Sequence, residues 1–250
     1  MMSSRLVREG HSLFRFRGVL PLVMILPLAL SLWGFKYLNE SRELQHYWYW
    51  FSILISMLGL LVRVTTVGFV AQGTSGRNTR SQVAESLNTT GWYSVCRNPL
   101  YLGNCLIGLG IAADLHDPVL VIAYGAIFWL YYERIIATEE QFLSGKFGEQ
   151  YTSWAIETPV FLPAFDRWKK PVLRFCWRTV LRREYPAVLL ICLAFPMLDS
   201  IEHFLIEGVF IPERHAVVMC FAGVGIFMVL RYLKKHTRCL EVQHRAPELQ

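Results

Sequence analysis

The sequence predicts an all-α integral membrane protein, a polytopic helical bundle of about six spans. Three observations predict this class. The 250 residues are 54% hydrophobic and 18% charged, with a mean hydropathy of +0.34, whereas soluble domains carry about 25% charged residues. Apolar runs recur at the length needed to cross a bilayer core of roughly 30 Å. The basic residues cluster between these runs, as the positive-inside rule describes for membrane proteins.

Six segments are long and apolar enough, or nearly so, to form the spans. They are residues 18–37, 48–70, 100–113, 119–136, 185–206 and 215–233. The third segment is short, and only the polar turn Asp114-Leu-His-Asp-Pro118 separates it from the fourth. We therefore predict that these two segments form a hairpin that is tilted or does not fully cross the bilayer.

A basic stretch lies between the fourth and fifth segments. Its cations recur every four residues opposite a mostly apolar side, at Lys170, Arg174, Arg178 and Arg182. This spacing predicts an amphipathic helix over residues 166–183 that lies in the headgroup plane on the cytoplasmic side. Two explanations of the basic residues are equally good. Either they set the topology of the protein, or they bind an anionic lipid.

The distribution of Lys and Arg predicts the orientation. A cytoplasmic N-terminus places 21 of the 25 basic residues inside, and only Lys36, Arg42 and Arg214 outside, with Arg63 within a span. The protein is therefore expected to be multi-pass, with both termini in the cytoplasm. This topology explains the net charge of +6. No nucleic-acid partner is expected, because no recognition motif is present.

The cysteines and acidic residues do not predict a metal site. None of the six cysteines forms a Cys-x-x-Cys pair, which disfavours zinc and disulfide frameworks. His116 lies between Asp114 and Asp117, but a short turn outside the membrane explains this trio better than metal binding. We therefore predict no metal.

Two stretches on the predicted cytoplasmic side are more polar than topology requires, residues 73–101 and 131–163. The first includes Gly-Thr-Ser-Gly-Arg-Asn-Thr-Arg, whose hydroxyl, glycine and arginine donors suit a phosphate group. Arg77 and Arg80 are therefore candidate substrate-binding residues. Arg63 is a third candidate, with snorkelling to the interface as the equal alternative.

The ordered motifs in these stretches resemble a known superfamily. The block Gly91-Trp-Tyr-Ser-Val-Cys-Arg-Asn-Pro-Leu-Tyr-Leu-Gly103 precedes Glu-Glu-x-Phe-Leu-x-x-x-Phe-Gly-x-x-Tyr and then Val-Phe-Leu-Pro. Together they are similar to the isoprenylcysteine carboxyl methyltransferase and phospholipid methyltransferase superfamily, over residues 63–163. The resemblance implies an integral membrane enzyme that uses S-adenosylmethionine (SAM) to methylate a membrane lipid or a lipidated substrate.

The resemblance also nominates the site residues. It implies that Arg97 and Glu140 are catalytic, and it implies a cofactor pocket formed by Tyr93, Arg97, Asn98, Pro99, Tyr101, Leu102, Glu139 and Glu140. The family's usual histidine is Asn98 here. An amide keeps a hydrogen-bond donor but does not titrate, which puts proton acceptance at this position in question.

The favoured acceptor is an anionic lipid or lipid phosphate, followed by a prenylcysteine carboxylate or a phospholipid amine. Two alternatives stay open, namely a membrane reductase that uses NADPH and a non-catalytic transporter or assembly protein. We divide the chain into N-terminal spans (1–72), a methyltransferase core (73–163) and a C-terminal part with two spans (164–250).

Overall fold

The computed structural model describes residues 23–71, 74, 84–210 and 212–242, and this part of the chain contains helices and no strand. The α-helices are α1 (Ile25–Leu32), α2 (Arg42–Gly68), α3 (Trp92–Val95), α4 (Pro99–Asp114), α5 (Pro118–Phe147), α6 (Glu149–Glu157), α7 (Trp177–Glu207) and α8 (Arg214–His236). The helices α2, α5, α7 and α8 are long and apolar enough to cross a membrane, and α4 is a shorter apolar helix. The predicted class of all-α membrane bundle is confirmed.

The predicted spans correspond closely to these helices. The fourth, fifth and sixth predicted segments lie within α5, α7 and α8, and the second segment coincides with α2 except for its last two residues, which follow the end of the helix at Gly68. The third is the 16-residue helix α4, which joins α5 through a tight turn in the predicted hairpin. The first segment is described only from residue 23 onward, where α1 covers eight residues. Its beginning lies outside the described residues.

Local sequence signals explain where the helices begin and end. Ser41 precedes α2, and its hydroxyl accepts a hydrogen bond from the Leu44 amide at 3.3 Å. Asp117 caps α5 in the same way through the Val119 amide at 2.9 Å. These caps satisfy amide groups that have no partner within the helix. Gly208, with φ of 72°, ends α7 in the left-handed conformation that glycine favours.

The centre of the bundle is the close packing of α2 on α4, the most extensive helix contact among the described residues. Glycines allow this approach. A Cβ atom on Gly59 would lie 2.6 Å from the Gly103 carbonyl oxygen, and one on Gly110 would lie 2.3 Å from Ser56 Oγ. Helices in lipid associate largely through such small residues, because the surrounding lipid is as apolar as the side chains.

The long helices alternate in direction, so their ends form two polar regions. The end that carries the two motif blocks, called the motif end here, contains Gly68, Pro99 and Trp177. At the opposite end, Gln45 Nε2 donates to Glu202 Oε2 at 2.9 Å and Arg42 forms an ion pair with Glu213 at 2.7 Å. Which end faces the cytoplasm stays a prediction from the basic residues.

The amphipathic helix predicted over residues 166–183 is wrong. The structure has a 3-10 turn at Phe165–Arg167, no helix over residues 168–176, and α7 from Trp177 onward. Pro171 lacks an amide hydrogen and disfavours a helical conformation at the residue before it. The backbone bonds elsewhere, since the Cys176 amide donates to the Gly68 carbonyl at 2.9 Å. Only Arg178 and Arg182 of the four spaced cations lie on a helix.

Replacing Gly110 by alanine is expected to destabilise the bundle, because the added methyl group overlaps Ser56 Oγ and the Ser52 carbonyl oxygen. Overpacking of this kind costs about 1–3 kcal/mol of unfolding free energy. The matched control is Gly125→Ala in α5, where a Cβ atom meets nothing within 4 Å. The control should be neutral or slightly stabilising, since alanine has the higher helix propensity. Thermal unfolding in detergent measures both variants, and equal midpoints for the two would contradict the packing described.

Candidate functional site

The part of the first motif block that precedes α4 contains the short helix α3 and is fixed by backbone hydrogen bonds. The motif loop (residues 91–98) runs antiparallel to a facing segment (residues 158–169). The Arg97 amide donates to the Pro159 carbonyl at 2.8 Å, the Ala164 amide to the Val95 carbonyl at 3.0 Å, and the Gly91 amide to the Lys169 carbonyl at 2.9 Å. The parts of the sequence that carry the two motif blocks therefore meet at the motif end.

Side chains attach the motif loop to the surrounding helices. Trp92 Nε1 donates to Thr65 Oγ1 of α2 at 2.7 Å, and Trp154 Nε1 of α6 donates to the Tyr93 carbonyl at 2.9 Å. Gly91 has φ of 61°, a conformation that favours glycine. The loop is thus held from three sides, by α2, α6 and the facing segment.

Two side chains of the motif loop are used to hold the facing segment. Asn98 Nδ2 donates to the Val160 carbonyl at 3.0 Å, and the Cys96 thiol contacts the Phe161 carbonyl at 3.1 Å. Cys96 is fully buried, and burial raises the pKa of its thiol to about 11. Asn98 therefore fixes the geometry of the loop through a bond that does not depend on pH.

Tyr101 and Glu139 join the two motif blocks directly. The Tyr101 hydroxyl donates to Glu139 Oε1 at 2.7 Å, across 38 residues of sequence. The Tyr101 ring packs on the Tyr132 ring with centroids 4.6 Å apart. The start of α4 and the end of α5 are therefore linked by two predicted cofactor residues.

Arg97 and Glu140 form a second link between the blocks. Arg97 Nη1 lies 3.0 Å from Glu140 Oε1, and the two side chains are 17% and 27% exposed. Arg97 Nε and Glu140 Oε1 are nevertheless buried without an aligned hydrogen bond to any other described residue. The two side chains thus attract each other by charge, while Arg97 Nε can still donate a hydrogen bond and Glu140 Oε1 can still accept one.

Tyr151, the tyrosine that ends the second block, lies beside this pair. Burial and the nearby Glu140 carboxylate raise the pKa of its phenol to about 12, while Arg97 acts in the opposite direction. The hydroxyl is therefore protonated at neutral pH. Arg97, Glu140 and Tyr151 thus form a half-buried cluster of a cation, an anion and a neutral hydroxyl, which is called the polar pocket here.

The remaining predicted site residues lie in different surroundings. Pro99 and Leu102 are buried in α4, where Pro99 is the first helical residue. Tyr93 contributes its carbonyl group to the Trp154 contact. Arg77 and Arg80 lie outside the described residues. The role of each in cofactor or substrate binding stays a prediction.

Arg63 does not snorkel to the interface. Its side chain is 8% exposed and forms a bidentate ion pair with Glu184 of α7, with Nε to Oε2 at 2.7 Å and Nη2 to Oε1 at 3.0 Å. This geometry gives Arg63 a structural role. A contact between Arg63 and substrate stays a prediction.

A surface cavity of about 530 Å³ adjoins the motif loop. Its polar lining includes Thr89, Ser94, Thr158, Arg167 and Lys169.

Within the described ranges, no group of three His, Cys, Asp or Glu residues is arranged to hold a metal ion.

Sequence reasoning did not nominate Tyr151, Glu184, Asn104 or Tyr132 as site residues. Tyr151 belongs to the Phe-Gly-x-x-Tyr part of the second block, so the motif itself carried the signal. Glu184 lies near the beginning of the fifth predicted span, where a charge is costly without a partner. That cost was the available signal for Glu184, but the sequence does not reveal that Arg63 is the partner.

These features define a helical membrane bundle with a polar pocket at one end, and comparison with known proteins shows which family its central region resembles. Residues 47–150 match the phospholipid methyltransferase family. No solved structure matches the chain significantly.

The similar curated proteins carry two kinds of name. The chain is 36% identical over 123 residues to the cobalt-zinc-cadmium resistance protein CzcN of Cupriavidus metallidurans, a match covering 48% of this chain and 54% of that protein. It is 29% identical over 123 residues to protein-S-isoprenylcysteine O-methyltransferase B of Arabidopsis thaliana, covering 48% and 61%. A probable protein-S-isoprenylcysteine O-methyltransferase of Oryza sativa subsp. indica is 27% identical over 150 residues, covering 56% and 76%.

These matches confirm the resemblance carried by the motif blocks. The central region of the chain is similar to isoprenylcysteine and phospholipid methyltransferases. The chain spans between 54% and 61% of the length of the first two curated relatives described above. The matched region contains Arg97, Tyr101, Glu139 and Glu140, but it ends just before Tyr151 and well before α7.

The environment of Cys96 is expected to protect it from alkylation. Its thiol is buried and its raised pKa of about 11 leaves little thiolate at neutral pH, and the thiolate is the reactive form. Cys239 is exposed and serves as the internal control. Peptide mapping by mass spectrometry after maleimide treatment should find Cys239 modified and Cys96 modified only after denaturation. Rapid native labelling of Cys96 would contradict the packing of the motif loop.

Proposed function

We propose that the protein is a SAM-dependent methyltransferase whose acceptor is a lipid or lipidated molecule reached from the bilayer. The observation that carries the proposal is the meeting of the two motif blocks, through Tyr101 with Glu139 and Arg97 with Glu140. The match of residues 47–150 to the phospholipid methyltransferase family supports the reaction class, and the names of two relatives describe O-methyltransferases.

The chemistry of the polar pocket suits SAM. The methyl donor carries an ammonium, a carboxylate and a sulfonium cation, so it needs both anionic and cationic partners. Glu140 and Arg97 provide one of each, with buried atoms that lack aligned hydrogen bonds among the described residues. Carboxylates and aromatic faces stabilise cations, and arginine binds carboxylates. The donor set therefore fits the group.

In the proposed mechanism, bound SAM supplies a methyl group activated by its sulfonium centre. Glu139 and Glu140 would hold its positive charges, and Arg97 would hold its carboxylate. Tyr101 orients Glu139 through its hydroxyl, and the Tyr151 phenol provides a neutral donor beside Arg97. The motif loop and the facing segment exclude water from one side. Methyl transfer is an in-line displacement, so orientation and exclusion of water supply much of the acceleration.

The acceptor in this proposal is an anionic oxygen on a lipid-linked molecule. The three residues that define the polar pocket include no histidine that could act as a general base. An anionic oxygen already lacks a proton at neutral pH, so its methylation needs no such base. Lipid phosphate and prenylcysteine carboxylate share this chemistry. The relatives named as isoprenylcysteine O-methyltransferases favour the prenylcysteine carboxylate. The hydroxyl, glycine and arginine donors of residues 73–80 suit a phosphate group and favour the lipid phosphate.

The reaction is tested with purified protein in lipid nanodiscs and SAM carrying a radiolabelled methyl group. Parallel reactions contain anionic phospholipid, a farnesylated cysteine with a free carboxylate, or an amine phospholipid in neutral carrier lipid. Label in the first or second acceptor is the expected result and identifies the source of the anionic oxygen. Label only in the amine lipid would overturn the acceptor proposal. Saturable NADPH binding without SAM binding would favour the reductase, and binding of neither would favour a non-catalytic protein.

Replacing Glu140 by glutamine is expected to weaken cofactor binding. The change removes the charge facing Arg97, and hydrogen bonds to charged groups contribute roughly 1.5–3 kcal/mol, or about tenfold to a hundredfold in affinity. Titration calorimetry with S-adenosylhomocysteine, the demethylated product of SAM, measures the loss. Glu149→Gln is the matched control, since Glu149 is exposed at the beginning of α6. Equal affinities for both variants would count against a cofactor role of Glu140.

A further inference from the structure

A buried ion pair connects the matched region to a helix outside it. Arg63 of α2 and Glu184 of α7 form two contacts, and their side chains are 8% and 4% exposed. Residues 47–150 contain Arg63 but not Glu184. The partner that fixes this central arginine is therefore supplied by the C-terminal part of the chain.

Arg63 uses its remaining donors on α4. Its Nη1 atom donates to Asn104 Oδ1 at 2.6 Å and contacts the Leu100 carbonyl oxygen at 3.3 Å. Leu100 lies in the first turn of α4, directly after Pro99 and before Tyr101. The guanidinium group therefore holds the turn that carries the first motif block.

The contacts continue from Asn104 to the second block. Asn104 Nδ2 donates to the Tyr132 hydroxyl at 3.3 Å. The Tyr132 ring packs on Tyr101, whose hydroxyl donates to Glu139 at 2.7 Å. A continuous series of polar and ring contacts thus runs from α7 through α2 and α4 to the acidic residue on α5.

We infer that Glu184 is a positioning residue for the cofactor pocket, acting through Arg63 and Asn104 on Tyr101 and Glu139. This inference rests on the proposed function. Without the Glu184 carboxylate, the Arg63 guanidinium has no counter-ion among its described contacts. A buried unpaired charge is strongly unfavourable. The Arg63 side chain therefore turns away from Asn104, or water enters the bundle and hydrates the guanidinium group. Either change releases the first turn of α4 and the tyrosine pair.

The first test compares two glutamates of the same helix. Glu184→Gln removes the counter-ion of Arg63, and Glu202→Gln is the matched control, an equally buried carboxylate whose described partner is Gln45 at the opposite end. The two positions lie roughly 27 Å apart along α7. We expect Glu184→Gln to weaken S-adenosylhomocysteine binding by roughly fivefold to thirtyfold. Glu202→Gln should leave the affinity within about twofold of the unaltered protein, because it leaves the Arg63 ion pair intact.

A double variant separates positioning from stability. Arg63→Met with Glu184→Met removes both charges, and replacing a buried ion pair by apolar residues is often neutral or stabilising. We expect its melting temperature to recover, because no unpaired charge remains. Its affinity for S-adenosylhomocysteine should stay low, because nothing replaces the bond from Arg63 to Asn104. This variant also keeps the inference testable where Glu184→Gln does not fold.

Each outcome bears on a defined claim. Unchanged affinity in Glu184→Gln overturns the inference and leaves the proposed function intact. Recovery of both affinity and melting temperature in the double variant also overturns it, since Glu184 then contributes only to stability. Absence of S-adenosylhomocysteine binding by the unaltered protein removes the proposed function, and the inference with it.

Discussion

The close approach of α2 and α4 is the constraint on which the rest of the bundle depends. Lipid provides no hydrophobic driving force between helices, so contact depends on how closely two backbones can pack. Gly59, Gly103 and Gly110 permit that approach. Arg63 lies along the same contact, and its Cγ atom occupies the space that a Cβ atom at position 103 would need. The spacing that allows helix packing therefore also sets the position of the buried cation.

The polar pocket follows from this arrangement. The first turn of α4 is fixed against α2, and the facing segment is bonded to the motif loop that precedes α4. The end of α5 then brings its acidic residues to Tyr101 and Arg97. Three separate stretches of chain thus produce one site, because each is attached to α4 or to the loop before it. The charged residues face one another instead of lipid, as their desolvation cost requires.

The fold was largely predictable because long apolar runs and basic flanks are strong, local signals. Both ends of α5, α7 and α8 and the beginning of α2 extend beyond the predicted spans, since polar residues such as Glu139 continue a helix past the apolar core. The motif resemblance placed Tyr101 and Glu139 in one pocket, but the sequence did not predict the hydrogen bond between them. The separate helix over residues 166–183 was not correct, because the periodicity of the cations carries no information about backbone bonds made by the loop around Pro171. The partnership of Arg63 with Glu184 depends on tertiary packing across 121 residues.

The pairing between the motif loop and the facing segment has an evolutionary consequence. Its principal bonds join backbone groups at Gly91, Val95 and Arg97 to the opposite chain. Bonds of this kind persist when most side chains are exchanged. Leu162 and Phe165 of the facing segment are largely exposed, so substitutions there change the surface of this segment while the backbone bonds preserve the shape of the motif loop. For the proposed methyltransferase, such a scaffold allows the acceptor preference to change while the residues proposed to bind the methyl donor stay in place.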